Sequence, residues 1–88
     1  LDELDGLVAI AQNVFPKFYQ TIIDDTKGLS YREIITCILI RFKFIPSEIA
    51  VLTNNSYQQI TNLKSTINKK LFDKKGAKTL DSNLMSLK

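Results

Sequence analysis

The 88-residue sequence predicts an all-α fold, a small helical bundle of about five to six helices, on three observations. Apolar residues recur at three- and four-residue steps, the spacing that gathers them on one face of a helix. Proline, glycine and serine fall between those runs, where helices start and stop. With 44% hydrophobic residues the chain carries enough apolar surface for one modest core, so one compact domain is expected.

Leu1, Leu4, Leu7, Val8, Ala11 and Val14 form the stripe of a first helix. Asp2, Glu3 and Asp5 suit its positive N-terminal end, while Gly6 weakens it. The spacing also fits the tail of a coiled coil entering from upstream, but the run is too short for sustained heptads, and packing on the domain is the simpler outcome. Pro16 removes a backbone donor and restricts Phe15, which breaks the chain there and opens a second helix. Its apolar face is Phe15, Phe18, Tyr19, Ile22 and Ile23, with the three aromatics at core spacing rather than arranged for base stacking. Lys27 and Gly28 close that helix, and Ser30 with Glu33 forms the Ser-x-x-Glu capping box of the third. Ile34, Ile35, Ile38, Leu39 and Phe42 make this third helix apolar nearly all round, as a central helix must be.

Pro46 starts a fourth helix, predicted over 46–52, that buries Ile49, Ala50 and Leu52; its cap is poor because Ile45 has no side-chain acceptor. Thr53-Asn54-Asn55 is a turn, since Asn competes for backbone hydrogen bonds and tolerates left-handed conformations. Ser56 then caps a fifth helix over 57–71, whose inner stripe is Ile60, Leu63, Ile67 and Leu71. Gln58, Thr61, Asn62, Ser65 and Lys69 are left on an outer, wholly polar strip. Lys74-Lys75-Gly76 ends the region, and Thr79 caps a short last helix whose Leu80, Leu84, Met85 and Leu87 need a cover. The chain thus divides into an N-terminal helical extension (1–28), a helix-turn-helix unit (29–75) and a C-terminal helix (76–88), all packed as one domain.

Composition narrows the function. There is no histidine, so the usual nucleophilic triads, the HExxH zinc pattern and Cys/His zinc clusters are excluded. Cys37, the single cysteine, lies in an apolar run and reads as a core residue. Asp24 and Asp25 are adjacent, so on a helix they diverge, and no phosphate-cradling glycine loop accompanies them; they read as solvated helix-end charge. The expectation is a protein that is not an enzyme, with no cofactor, metal or small-molecule substrate. No apolar run approaches the roughly 20 residues of a membrane span, so a soluble, cytoplasmic fragment without membrane contact is expected. A start at Leu1, without a signal-like pattern, suggests a piece of a longer protein.

Charge is uneven. Up to Gly28, Lys17 and Lys27 face Asp2, Glu3, Asp5, Asp24 and Asp25; beyond it, ten Lys/Arg face Glu33, Glu48, Asp73 and Asp81, within a net charge of +3. The basic part holds the helix-turn-helix, which points to double-stranded DNA with the fifth helix in the major groove. Gln58, Gln59, Thr61, Asn62 and Ser65 are the candidate base-readers, with Gln58 and Asn62 each suited to adenine. Ser56 and the helix N-terminal amides, with Lys69, Lys70, Lys74, Lys75, Arg32, Arg41 and Lys43, are the candidate phosphate contacts. A homodimer on paired half-sites would fit, although the first and last helices also suit the monomer core. The competing expectation is a protein-interaction module that kept the fold and uses its apolar terminal helices. Basic residues sharing one face with the polar strip favour DNA; dispersed charge beside an exposed apolar groove favours the module.

Leu29-Ser30-Tyr31-Arg32-Glu33, then Ser47-Glu48-Ile49-Ala50, then Ser56, Ile60, Ile67 and Lys70-Leu71 together resemble the LuxR/GerE-type helix-turn-helix of response regulators. That pattern runs Leu-Thr-x-Arg-Glu, Lys-Glu-Ile-Ala, Ser-x-x-Thr-Val-Lys and Ile-x-x-Lys-Leu. Phe15-Pro16-x-Phe18 and Ile40-Arg41-Phe42 look more like the variant at the C-termini of Bacteroidetes transcriptional regulators, where helical repeats and a membrane anchor often lie upstream. The resemblance implies a DNA-binding output domain. The chain departs from the pattern with Lys43 and Ile45 where Gly and Ser are usual, Gln59-Ile60-Thr61 for Thr-Val-Lys, and Leu63 for a frequent histidine. The missing lysine removes one phosphate contact.

Overall fold

The computed structural model describes residues 4–87, and among these it is all-helical: α1 (Asp5–Val14), α2 (Pro16–Ile22), a 3-10 turn (Asp25–Lys27), α3 (Tyr31–Arg41), α4 (Pro46–Thr53), α5 (Tyr57–Phe72) and α6 (Leu80–Met85). Leu1, Asp2 and Glu3, read above as the start of the first helix, lie outside the described residues.

Each boundary has a local cause. Pro16 and Pro46 sit in the first turns of α2 and α4, where their missing N–H costs nothing. Ser30 caps α3 reciprocally: the Glu33 N–H donates to Ser30 Oγ at 3.2 Å and the Ser30 N–H donates to Glu33 Oε1 at 2.8 Å. The same box opens α5, with the Gln59 N–H on Ser56 Oγ at 3.1 Å and the Ser56 N–H on Gln59 Oε1 at 2.7 Å. At α4 half the box survives, because Glu48 Oε1 accepts from the Ile45 N–H at 3.0 Å although isoleucine returns nothing.

Two helix ends close in the same way. Lys43 (φ 70°) and Asn54 (φ 56°) are left-handed, and each is bracketed by a pair of return bonds. After α3 these run from the Lys43 N–H to Ile40 O at 2.8 Å and from the Phe44 N–H to Leu39 O at 3.0 Å; after α4, from the Asn54 N–H to Val51 O at 3.3 Å and from the Asn55 N–H to Ala50 O at 2.9 Å. This is the Schellman closure, which suits Gly and tolerates Asn. The α4–α5 turn is locked further by side chains: Asn55 Nδ2 donates to Thr53 Oγ1 at 2.8 Å, and Thr53 Oγ1 donates to Ile49 O at 2.7 Å.

α3 is the axis of the molecule. Every residue from Ile35 to Ile40 is buried, and α1, α4, α5 and α6 all pack on this helix. The core draws on all six helices, from Leu4 and Ala11 through Phe18, Ile22, Ile49, Ile60, Ile67 and Leu71 to Leu80 and Leu84. Cys37 is within it, as its apolar neighbours predict, and burial pushes its thiol pKa up.

Five expectations are corrected. α2 stops at Ile22, because Asp24 turns the chain by accepting from the Thr26 N–H at 2.9 Å, and Gly28 closes the 3-10 turn rather than α2. Ile23 is consequently exposed. Val14 and Leu52 also face outward, since α1 and α4 are each covered on one side only and Thr53 takes the inward position at the end of α4. Thr79 does not cap α6; its hydroxyl instead accepts from Asn68 Nδ2 at 2.9 Å.

Candidate functional site

α5 carries two unlike sides. Ile60, Ile67 and Leu71 point into the core, with Leu63 packed at its edge. Gln58, Gln59, Asn62, Thr66 and Lys69 are exposed, whereas Thr61 and Ser65 lie on the flank and are half-buried. α6 decides which flank is covered. It docks beside Lys64 and Asn68, where Lys64 Nζ meets Asp81 Oδ1 at 2.9 Å. Asn68 is fully buried, donates to Gly76 O at 3.0 Å, and accepts at Oδ1 from Asn83 Nδ2 at 3.0 Å. Leu80 to Leu87 therefore leave the strip through Gln58, Asn62 and Lys69 open. Asn68 was not recognised in the sequence; its placement one turn beyond Lys64, beside the inner stripe, is the signal that it faces a neighbouring element.

Within the strip the side chains are not equivalent. Gln58 Nε2 donates to Asn62 Oδ1 at 3.0 Å. Gln59 Oε1 is occupied by the cap of its own helix, and Thr61 Oγ1 turns back to Tyr57 O at 3.3 Å. Of the three amides among the five base-reading candidates, Gln58 and Asn62 are thus the two that the helix cap does not use.

The eight phosphate candidates separate in space. Arg32 lies against the strip: with Asn55, Gln59, Asn62, Leu63 and Thr66 it lines a shallow cleft of about 230 Å³, and its Nη1 reaches Asn55 Oδ1 at 3.4 Å. Ser56 is at the exposed start of α5, and Lys74 and Lys75 are exposed just beyond its end. Lys69 is exposed but bridges to Asp73 Oδ1 at 2.6 Å, and this contact holds the Asp73 carboxyl below the usual range. Three residues are elsewhere. Lys70 Nζ is tied to Glu33 Oε1 at 2.8 Å and Gly28 O at 2.9 Å, clamping the last turns of α5 to the start of α3. Arg41 lies inward, its guanidinium carbon 3.9 Å from the Phe15 ring centroid and its Nη1 on Met85 Sδ at 3.4 Å. Lys43 is exposed, but it belongs to the end of α3 that is remote from Arg32, about 15 Å along the helix axis.

A second exposed feature is apolar. Val51 (81% exposed) and Leu52 project from the outer face of α4, beside Phe44 and Glu48. Among the described residues no group of three or more His, Cys, Asp or Glu could hold a metal ion, and no helix is long and apolar enough to cross a membrane. Comparison with protein-family models, curated proteins and solved structures finds no match to this chain.

Proposed function

We propose that the chain is the DNA-binding output domain of a transcriptional regulator, with α5 in the major groove of a duplex. The observation that carries this reading is the open polar strip of α5, capped at Ser56, with Arg32 beside its first turns and Lys69, Lys74 and Lys75 at its end. A helix of 16 residues, apolar on its inner side and amide-bearing on its outer side, has the shape and chemistry that a major groove accepts. Arg32, Ser56, Lys69, Lys74 and Lys75 would hold phosphates and orient the helix. Arg41 and Lys70 serve the fold, Lys43 lies at the far end of α3, and all three leave the phosphate set.

The resemblance to the LuxR/GerE pattern supports the same reading. Its usual glycine falls at Lys43, whose backbone is left-handed, and its usual serine falls at Ile45, the capping position of α4. Both departures therefore occur at positions where the backbone favours the family's residue.

Titration of labelled duplexes at two salt concentrations tests the proposal. Binding should weaken steeply with salt, and Lys74→Ala and Lys75→Ala should each reduce the salt slope by about 1. Absence of binding at low salt discards it. The protein-docking alternative is favoured by one observation, the exposed Val51 and Leu52; on that reading Val51→Asp abolishes partner binding and no duplex is held.

A further inference from the structure

We propose that Gln58 and Asn62 act as one composite reader of a single A·T base pair, rather than as readers of two separate adenines; this rests on the DNA-binding reading of α5. The two amides are exposed, one turn apart, and joined by the 3.0 Å bond from Gln58 Nε2 to Asn62 Oδ1. That bond uses one donor hydrogen and one acceptor lone pair, leaving Gln58 Oε1 to accept and Asn62 Nδ2 to donate outward. Exchanging oxygen and nitrogen in both amides leaves Gln58 Nε2 as donor and Asn62 Oδ1 as acceptor. One donor beside one acceptor is presented either way.

Adenine offers the complementary set in the major groove, a donor at N6 and an acceptor at N7. Guanine offers acceptors at both O6 and N7, so the outward carbonyl oxygen of the pair would face another acceptor. The neighbouring side chains do not repeat the arrangement, since the Gln59 carbonyl oxygen is held by the Ser56 N–H and the Thr61 hydroxyl by Tyr57 O. Each amide also orders the other before DNA arrives, which reduces the freedom lost on binding. Arg32, in the cleft that Asn62 lines, is placed to hold a phosphate next to that base pair.

The test is selection from a randomised duplex pool, followed by titration of the recovered sites. Those sites should share one A·T pair at which 7-deazaadenine, which lacks N7, or a G·C replacement weakens binding about 5- to 100-fold. Gln58→Ala and Asn62→Ala should each erase that preference, and the double substitution should lose no more than about twofold beyond either single one. Losses that multiply in the double variant, or single variants that relax different base positions, overturn the composite reader while DNA binding stands. Uniform binding of the pool overturns it as well. If the pool is not held even at low salt, the DNA-binding reading falls and takes the base-pair proposal with it.

Discussion

Lys43 is the residue whose identity fits its backbone least. It occupies the left-handed position that ends α3, where a side chain crowds the following carbonyl and glycine does not. Lys43→Gly should therefore stabilise the fold by about 1 kcal/mol, raising the thermal midpoint by about 4–8 °C, measured by the circular dichroism melt. An unchanged or lower midpoint contradicts that strain. Asn54 shows the legible counterpart: asparagine before Ser56 announced a left-handed turn, and the turn is there at φ 56°. Lys43 gave no such signal, because lysine carries no preference for that region. Gln58 and Asn62 were legible as outward amides from their spacing, but their mutual bond depends on rotamers that spacing does not specify.

Among the elements, α5 shows why adjacent lysines differ. Lys69 and Lys70 look alike in the sequence, yet successive helix residues diverge by about 100°, which sends one to the open strip and the other across to Glu33. Glu33 is buried, and its Oε1 accepts from both Lys70 and the Ser30 N–H. Lys70→Met should cost about 1–3 kcal/mol in denaturant unfolding by leaving that carboxylate without its cation, while the salt slope of duplex binding stays the same. Lys69→Ala should do the reverse, weakening all duplexes similarly with little loss of stability, since its bridge to Asp73 is exposed. Equal effects of the two variants in both assays would contradict this division. The helix boundaries were mostly readable, because proline, the Ser-x-x-Glu box at Ser30 and the cap at Ser56 act through bonds within four residues. The end of α2 was not, since a short Asp24 turn replaced the last turn expected before Gly28.

At the scale of the molecule, the core that joins the six helices of the described residues has a measurable consequence at Cys37. Its thiol is fully buried on the central helix and its pKa is raised, chiefly by burial and secondarily by the charge of Glu33, so the nucleophilic thiolate is suppressed. A thiol reagent at mildly alkaline pH should label it only at the rate of global unfolding, checked by mass spectrometry against denaturant-melted protein; fast labelling without denaturant contradicts a closed core. The sequence by itself determined the helical class, most helix starts, the central place of α3 and the two-sided character of α5. These follow from apolar spacing and from local hydrogen bonds, which act within one or two turns. Only the tertiary structure decided that α6 takes the Lys64 and Asn68 flank and leaves the polar strip open, that Lys70 reaches across to Glu33 while Arg41 turns inward, and that Arg32 comes to lie beside Asn62. Those outcomes depend on which helices meet across the core, and contacts between distant segments leave no periodic mark in the chain.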